Sequence, residues 1–449
     1  MGLAKAPCPQ TISNWVSRLS LARLHSAPGL PRSPVSADPF ANGFIWLIDI
    51  SIALGAGKLL AVLALDARHH QFHPGAPALE QVRCLLVAVA DSWTGETIAD
   101  LLHRLIGSLG RPLAFLTDGG AELAKATDLL AERNCRSFRL EDVSQVVANL
   151  LKHHYAQHPL FETFLSACGK VSRHLKQSAL ACLAPPKTST KARFMNLQRL
   201  VKWADQLLKH SPPGRAARGS ARSQLRAALE QLPACKAFLS HFRRAASALL
   251  HCQQRLKVHG LNHDTSQQCK ELLAALPPFS SVRLGFIHWL DKHLEIASRL
   301  GLAQIGLPIS SDPIESLFGV AKQHGQGQIK DANRIALHLP AFCGPLTKDD
   351  ARRVLEVSVA QQQDVIGSLS SLTKQRRQVR PNPGRLESLR DGDNTHPLVL
   401  LAGAKIRSKS AVISQLSTPY ALSPGARLED DPAPALPRGS PCSETAMVG

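Results

Sequence analysis

The chain has 449 residues, and its 53 Lys and Arg residues outnumber its 34 Asp and Glu residues, which gives a net charge of +19 at pH 7. This length is sufficient for two or three domains, and the positive charge favours a polyanionic partner such as nucleic acid, although a merely basic surface remains an alternative. The ten cysteines include no C-x-x-C pair, and neither a secretory signal nor an apolar run of membrane-spanning length is present. These features exclude a zinc ribbon and a disulfide-rich secreted protein, so we expect a soluble cytoplasmic protein.

The first predicted element is a helix over residues 9–25, where apolar side chains recur at helical spacing with polar and basic residues between them. It is either an ordinary amphipathic helix or the reading helix of a partial helix-turn-helix. In the second case Asn14 and Arg18 are the candidate DNA contacts. A stretch rich in Pro and Ser follows and is interpreted as a linker, so residues 1–35 are predicted to be a partial helix-turn-helix-like DNA-binding segment with its linker.

The next part, residues 40–160, alternates strand and helix patterns. The predicted elements are strands 44–51, 58–66 and 82–90, a helix 96–109, a strand 113–117, a helix 121–133, a strand 136–140 and a helix 143–155. Three strands followed by alternating helices and strands is the order of a ribonuclease H-like core, which is an α/β fold with a mixed sheet.

The remaining chain divides into three parts by composition. Residues 161–300 are basic and helical throughout, which predicts an all-helical insertion that offers phosphate contacts. Residues 301–365 complete the core with a helix that starts near Pro313 and carries Glu315 in its first turn. Residues 366–449 are rich in Arg, Pro, Gly, Ser and Asp and are predicted to be disordered, with a short apolar patch at 397–402.

Three acidic residues stand at positions where chemistry is expected. Asp49 lies inside an apolar strand, where an unpaired carboxylate is costly, and Asp118 follows the fourth strand just before two glycines. If these strands are neighbours, the two carboxylates meet at one sheet edge and recruit a divalent cation, with Glu315 as the third ligand. Oxygen ligands suit Mg²⁺ or Mn²⁺. Taken singly, the three residues also fit a turn, an Asp-Gly turn and a helix start.

Several segments together resemble a family. They are FIWLIDIS with KLLAVLALD, the helix start at Ser92–Glu96, LAFLTDGG, LEDVSQVVANLLK and SSDPIESLFGVAK. Over roughly residues 43–342 the chain resembles the insertion-sequence transposases of the DDE class, which have a ribonuclease H-like catalytic core.

The resemblance implies that Asp49, Asp118 and Glu315 are the catalytic, metal-binding acids. It also implies that Lys322, seven residues beyond Glu315 and on the same helix face, contacts DNA. The implied activity is Mg²⁺-dependent (or Mn²⁺-dependent) cleavage of double-stranded DNA at transposon ends, followed by strand transfer, by a homo-oligomer that is nucleoid-associated when bound to DNA. A nuclease that cuts without joining and a decayed transposase that only binds DNA remain alternatives.

Other residues have weaker claims to a site. Asp142 is expected to cap the helix that follows it, with a place near the metals as the alternative. The histidines at 69, 70 and 73 are interpreted as an exposed loop rather than as metal ligands. Trp289 is expected in the core, although it could stack on an unpaired base.

Overall fold

The computed structural model describes residues 7–26, 43–54, 57–186, 193–209, 215–325, 332–367 and 398–402. The strands are β1 (Phe44–Leu54), β2 (Gly57–Asp66), β3 (Val82–Ala90), β4 (Ala114–Thr117), β5 (Phe138–Glu141) and β6 (Leu398–Leu401). The helices are α1 (Pro9–Ser26), α2 (His69–Phe72), α3 (Gly95–Leu109), α4 (Ala121–Glu132), α5 (Val143–Tyr155), α6 (Pro159–Lys176), α7 (Arg193–Lys209), α8 (Ala221–Leu229), α9 (Lys236–His259), α10 (His263–Leu273), α11 (Ser281–Arg299), α12 (Asp312–Gly325), α13 (Ala332–His338), α14 (Lys348–Glu356) and α15 (Val359–Gly367). The predicted α/β class is confirmed. None of the helices in these ranges is long and apolar enough to cross a membrane.

The six strands form one mixed sheet in the order β5-β4-β1-β2-β3-β6. β1, β2 and β3 are an antiparallel meander, whereas β4 and β5 run parallel to β1 and are each reached through a helix. Ile48 on β1 is paired with Thr117 on β4, and Thr117 is paired with Glu141 on β5. The three parallel strands are therefore aligned where β4 and β5 end, at the edge of the sheet where ligands of α/β proteins gather.

Both faces of the sheet are covered, which is why its strands are almost continuously apolar rather than alternating. Trp46 and Ile48 point to one face and pack with α3 and α4. Ile45 and Leu47 point to the other face and pack with α5, α12 and α13. Because side chains alternate along a strand, Asp49 points to this second face.

The helices α6 to α11 form a helical segment that is packed around α5 rather than set apart from it. Helices α7, α9 and α11 all contact α5. Tyr155, at the end of α5, is fully buried, with its ring centroid 6.0 Å from that of Phe238 and 4.9 Å from that of Phe242. Apolar residues of the segment belong to the same cluster as the second face of the sheet. Trp289 is only 4% exposed and stacks on Phe286, so its expected place in the core is confirmed.

Two glycines allow the chain to return tightly from the helical segment to the sheet. Gly260 and Gly306 both have positive φ, of 67° and 112°, and a side chain at Gly306 would collide with the carbonyl oxygen of His259. Beside them, Leu261 and Leu307 form an antiparallel bridge. Only glycine tolerates this conformation and close approach, and the crossing fixes the level at which the chain enters α12.

The first helix is packed into the fold. Helix α1 contacts α13, α14 and α15 and buries Leu21 and Leu24. Arg23 donates hydrogen bonds to the carbonyl oxygens of Ala341, Cys343, Gly344 and Pro345 and pairs with Asp350 at 3.2 Å. Helix α1 is thus fastened to the residues that precede α14, and the DNA-binding role expected for residues 1–35 stays a prediction.

The end of the chain also differs from the expectation in one place. Leu398–Leu401, within the predicted disordered tail 366–449, form the edge strand β6, which pairs antiparallel with β3. The prediction of disorder is therefore wrong for these residues, because a short apolar run satisfies its backbone on an open sheet edge. Most of the rest of that stretch lies outside the described residues.

Candidate functional site

Two aspartates lie side by side at the aligned positions of β1 and β4. Asp49 directly follows Ile48, and Asp118 directly follows Thr117, the partner of Ile48 across the two strands. Neighbouring strands are about 4.8 Å apart, so the two half-buried carboxylates are close neighbours on the second face of the sheet. The Asp49 carboxylate accepts a hydrogen bond from the N–H of Ile50 at 2.6 Å, and the Asp118 carboxylate accepts one from the N–H of Gly120 at 2.9 Å.

A third aspartate follows the third parallel strand. Asp142 comes directly after Glu141 at the end of β5 and is fully buried. Its Oδ1 accepts a hydrogen bond from the N–H of Gln145 at 3.0 Å, so the predicted cap of α5 is confirmed. Its Oδ2 accepts hydrogen bonds from the N–H and the hydroxyl of Ser311, at 2.7 and 2.9 Å. Asp142 therefore joins the sheet edge to the start of α12.

Helix α12 delivers Glu315 to the same edge. The helix begins at Asp312, whose N–H donates to the hydroxyl of Ser310 at 3.3 Å, and Pro313 lies in its first turn as the sequence predicts. The buried side chain of Ile314 belongs to the cluster on the second face of the sheet, and α12 contacts β1. This packing leaves Glu315 exposed beside the strand ends.

The pKa of Asp49 shows that the acidic residues are close enough to interact. Burial, repulsion from Asp118 and smaller contributions from the charges of Glu315 and Asp142 together raise the pKa of Asp49 to about 7, against the opposing effect of the hydrogen bond from Ile50. Mutual repulsion of this kind is typical of carboxylates that share one site. Four carboxylates from β1, β4, α12 and the end of β5 thus form one acidic cluster, which we define as Asp49, Asp118, Asp142 and Glu315.

Glu315 is subject to charges of both signs. Desolvation by the surrounding protein is the main effect that raises the pKa of Glu315. The charges of Asp142 and Asp312 raise this pKa further, and the charges of Lys257 and Lys322 lower it. Lys322 is exposed and lies two turns beyond Glu315 on α12. The lysine proposed to contact DNA is therefore within electrostatic range of the acidic cluster.

The helical segment contributes a further residue near the site, Lys257, which was not predicted from the sequence. It lies near the end of α9 and forms an ion pair with Asp312 at 2.5 Å, with 17% of its side chain exposed. Asp312 is the first residue of α12 and the ion-pair partner of this lysine. No local pattern marks Lys257 among the many basic residues of the segment, because its role depends on a contact between distant helices.

The donor set matches a hard divalent cation in chemistry and in charge. Carboxylate oxygens are the ligands that Mg²⁺ and Mn²⁺ prefer, and a cation would relieve the repulsion that raises the pKa of Asp49. In the described ranges, however, no three His, Cys, Asp or Glu side chains are already arranged to hold a metal ion. The residues therefore fit such a cation by type and position, and closing around it would require side-chain movement.

The residues expected to read DNA on the first helix are engaged within the fold. Asn14 accepts a hydrogen bond from Gln362 at 3.1 Å, and Arg18 donates one to the same glutamine at 2.9 Å. Both side chains are half-buried between α1 and α15. A side chain that reads bases must be free to enter a groove, so a DNA-reading role for Asn14 and Arg18 stays a prediction and would require these hydrogen bonds to open.

The histidines near β2 are not a simple exposed loop. His69 lies in the short helix α2, is 2% exposed and stacks on His73 with ring centroids 5.2 Å apart. Burial lowers the pKa of His69, and burial with repulsion from His69 and His259 lowers the pKa of His70 to about 3. The expectation of exposure is wrong for His69, whose ring is buried, while the ring of His70 lies beside the Gly260 crossing.

Taken together, the geometry brings Asp49, Asp118 and Glu315 to one sheet edge, adds Asp142 and the Lys257–Asp312 pair, and leaves Asn14 and Arg18 elsewhere. Such an edge can bind a cation and a phosphodiester beside it. Comparison with known proteins adds nothing to this geometry, since neither a protein-family model nor a curated protein sequence matches the chain.

Proposed function

We propose that this protein is a transposase of the DDE class, which cuts DNA strands at the ends of an insertion sequence and joins them to a target. The observation that carries the proposal is the acidic cluster, in which Asp49 and Asp118 follow paired residues of adjacent parallel strands and Glu315 lies in electrostatic range of Asp49. The charges of Asp118 and Glu315 disfavour the ionised form of Asp49, so keeping these acids together costs free energy unless they share a function. A cation-dependent reaction supplies one.

The strand order supports the same proposal. A meander of three strands followed by two parallel strands, with β1 in the middle, is the arrangement of a ribonuclease H-like core. In this interpretation the helical segment is an insertion between Asp118 and Glu315. The edge strand β6 is an addition to that core.

The proposed reaction requires a cation, Mg²⁺ or Mn²⁺, which would be held by Asp49, Asp118 and Glu315. The bound cation would stabilise negative charge on the attacking and leaving oxygens of a phosphodiester. The chain's own groups do the rest. Burial and then the charge of Asp118 raise the pKa of Asp49, and that negative charge favours cation binding. Lys322 positions a DNA phosphate next to Glu315. We propose that two or more copies assemble on DNA, because joining requires two ends at one target.

The test uses labelled duplexes that carry the sequences flanking the gene. The full-length protein is incubated with these duplexes and Mg²⁺, and cleavage, joining and retention of DNA are scored separately. We expect cleavage and joining by the wild type and a loss of both, by about 10³-fold or more, in Asp118→Asn. Asp364→Asn, which removes an exposed acid on α15, is the matched control and should act like the wild type.

The DNA contact is tested in the same assay. Lys322→Ala should weaken the retention of DNA and reduce the slope of log affinity against log salt by the amount that one phosphate contact contributes, about one. Lys348 is an exposed lysine on α14, and Lys348→Ala should leave both quantities unchanged. Cleavage without joining would favour a nuclease on the same fold.

The absence of a ready-made group of metal ligands in the described part of the chain favours a second candidate, a protein that only binds DNA. Retention that is unaffected by Asp118→Asn, with no cleavage by either protein, would select this candidate and reject the enzyme.

A further inference from the structure

Asp142 has more hydrogen-bond partners than a helix cap needs. One carboxylate oxygen caps α5 through Gln145, and the other accepts both donors of Ser311, 169 residues away in the chain. Asp142 is fully buried, and Ser311 is 7% exposed, so water does not compete for these bonds. A buried carboxylate that accepts three hydrogen bonds is a strong and specific anchor.

The backbone around Asp142 extends this link in both directions. The N–H of Asp142 donates to the carbonyl oxygen of Thr117 at 3.1 Å, next to Asp118. The N–H of Val143 donates to the carbonyl oxygen of Ile309 at 3.1 Å, just before α12. The segment that carries Glu315 is therefore bonded to Asp142 and Val143, the two residues that follow β5, and Asp142 is bonded in turn to Thr117 at the end of β4.

We propose that Asp142 and Ser311 form a clasp that positions Glu315 over Asp49 on β1 and Asp118 at the end of β4. Asp142 is thus a positioning residue rather than a catalytic one, and the clasp is a part of the site that the acidic motif alone does not contain. Its consequence for cation binding and cleavage rests on the proposed function, whereas its effect on the placement of α12 does not.

The clasp differs from an ordinary helix cap because the second carboxylate oxygen of Asp142 bonds a residue far away in the sequence. Asn262 caps α10 by accepting the N–H of Thr265 at 2.8 Å, and both residues belong to the same turn. Asp142 instead joins two elements that meet only in the folded chain. Removing the Ser311 hydroxyl should therefore loosen α12 without removing the cap of α5, which makes Ser311 the cleaner residue to change.

The first experiment measures amide hydrogen exchange in the metal-free full-length protein. Ser311→Ala should speed exchange in peptides that cover residues 309–318 by about tenfold or more, and Ser311→Thr, which restores a hydroxyl, should return it toward the wild-type rate. Asn262→Ala is the matched control and should affect α10 only. Unchanged exchange over residues 309–318 in Ser311→Ala would overturn the clasp.

The second experiment measures binding of Mn²⁺ by electron paramagnetic resonance and cleavage as a function of Mg²⁺. We expect Ser311→Ala to weaken Mn²⁺ binding and to lower the maximal rate by about tenfold to hundredfold with little change in KM for DNA, because a shift of about 1 Å in a reacting group has this effect. Faster exchange with wild-type Mn²⁺ affinity and rate would overturn the positioning role. A wild type that neither cleaves nor joins would reject the proposed function, while the exchange result would still decide whether the clasp holds α12.

Discussion

Asp49 shows how a single residue can be both poorly suited to its place in the fold and central to a site. It lies within an apolar strand and is surrounded by the charges of Asp118, Glu315 and Asp142. Burial and repulsion both favour its protonated form, so in the absence of a cation the ionised side chain opposes folding. The cation proposed above would compensate for this cost.

The first prediction concerns the stability of the metal-free protein. The pKa of Asp49 is about 7 in the folded state and near 3.9 when unfolded, so the folded state binds the extra proton between these values. The stability that this proton contributes is present at low pH and is lost as the pH rises from about 4 to about 7. Asp49→Asn should therefore raise the melting temperature more at pH 8 than at pH 5, by the equivalent of about 1–3 kcal/mol.

The measurement is thermal unfolding at both pH values with and without Mg²⁺. Asp364→Asn, an exposed aspartate on α15, is the control and should show no such difference. Mg²⁺ should stabilise the wild type and not Asp49→Asn. An equal effect of Asp49→Asn at pH 5 and pH 8 would contradict the coupling of this residue to the acidic cluster.

At the scale of elements, α11 fastens the helical segment to the edge of the sheet that carries the site. His293 on α11 is fully buried, its Nδ1 bonds the carbonyl oxygen of Trp289 at 2.9 Å, and its Nε2 accepts the N–H of Glu141 at 3.2 Å. Lys292 pairs with the carboxylate of the same glutamate at 3.2 Å. Because Glu141 precedes Asp142, these contacts support the clasp from the opposite side.

The second prediction follows from the buried imidazole. Burial lowers the pKa of His293 to about 4, below the value of about 6.5 for an unfolded histidine. Between these values the unfolded chain binds the extra proton, so stability is present above pH 6.5 and is lost as the pH falls toward 4. His293→Gln should reduce this loss by about 2–3 kcal/mol, at the price of some stability at pH 7.

Urea unfolding at pH 7 and pH 4.5 checks this. His263→Gln, an exposed histidine on α10, should keep the wild-type dependence on pH. A pH dependence in His293→Gln identical to that of the wild type would mean that His293 is not held neutral by the fold.

At the scale of the whole molecule, the first described helix is fastened to the last three described helices. Helix α1 packs on α13, α14 and α15, and Arg23 holds the turn before α14 through four carbonyl oxygens and Asp350. Burial alone would raise the pKa of Asp350, but hydrogen bonds from Arg23 and Thr347 outweigh it, and the pKa of this carboxyl is lowered. The contact between α1 and the residues before α14 is therefore a specific, charged one.

The third prediction is that Arg23→Ala destabilises the protein by about 3 kcal/mol or more, because a nearly buried carboxylate and several carbonyl groups lose their donor. Chemical unfolding of the full chain measures this change. Arg334→Ala, which removes an exposed arginine from α13, should stay within about 0.5 kcal/mol of the wild type. A similarly small effect of Arg23→Ala would indicate that α1 is not part of the cooperative fold.

The fourth prediction concerns the net charge of +19. If the basic surface binds DNA through phosphates, affinity should fall by about 10³-fold or more between 50 and 200 mM salt, as expected for six or more phosphate contacts. Filter binding or fluorescence anisotropy over a salt series measures the slope. An affinity for DNA that does not change with salt would mean that the high positive charge has no role in binding DNA.

Much of the fold can be predicted from the sequence, because its signals are local. Apolar runs such as FIWLIDIS are long enough to be strands, and the glycines after Asp118 mark where a strand ends. Pro313 and the serines before it predict the start of α12, and Asp142 is recognisable as a cap from its position before an apolar helix. These features depend on residues within a few positions of one another.

What only the tertiary structure decided are contacts between parts of the chain that no local pattern relates. The alignment of β1, β4 and β5 turns three separate aspartates into neighbours, and the second oxygen of Asp142 finds Ser311 across 169 residues. The ion pair of Lys257 with Asp312 and the burial of Arg23 arise in the same way. Electrostatic and hydrogen-bonding partners are set by packing in three dimensions, whereas backbone preferences are set by the sequence close to each residue.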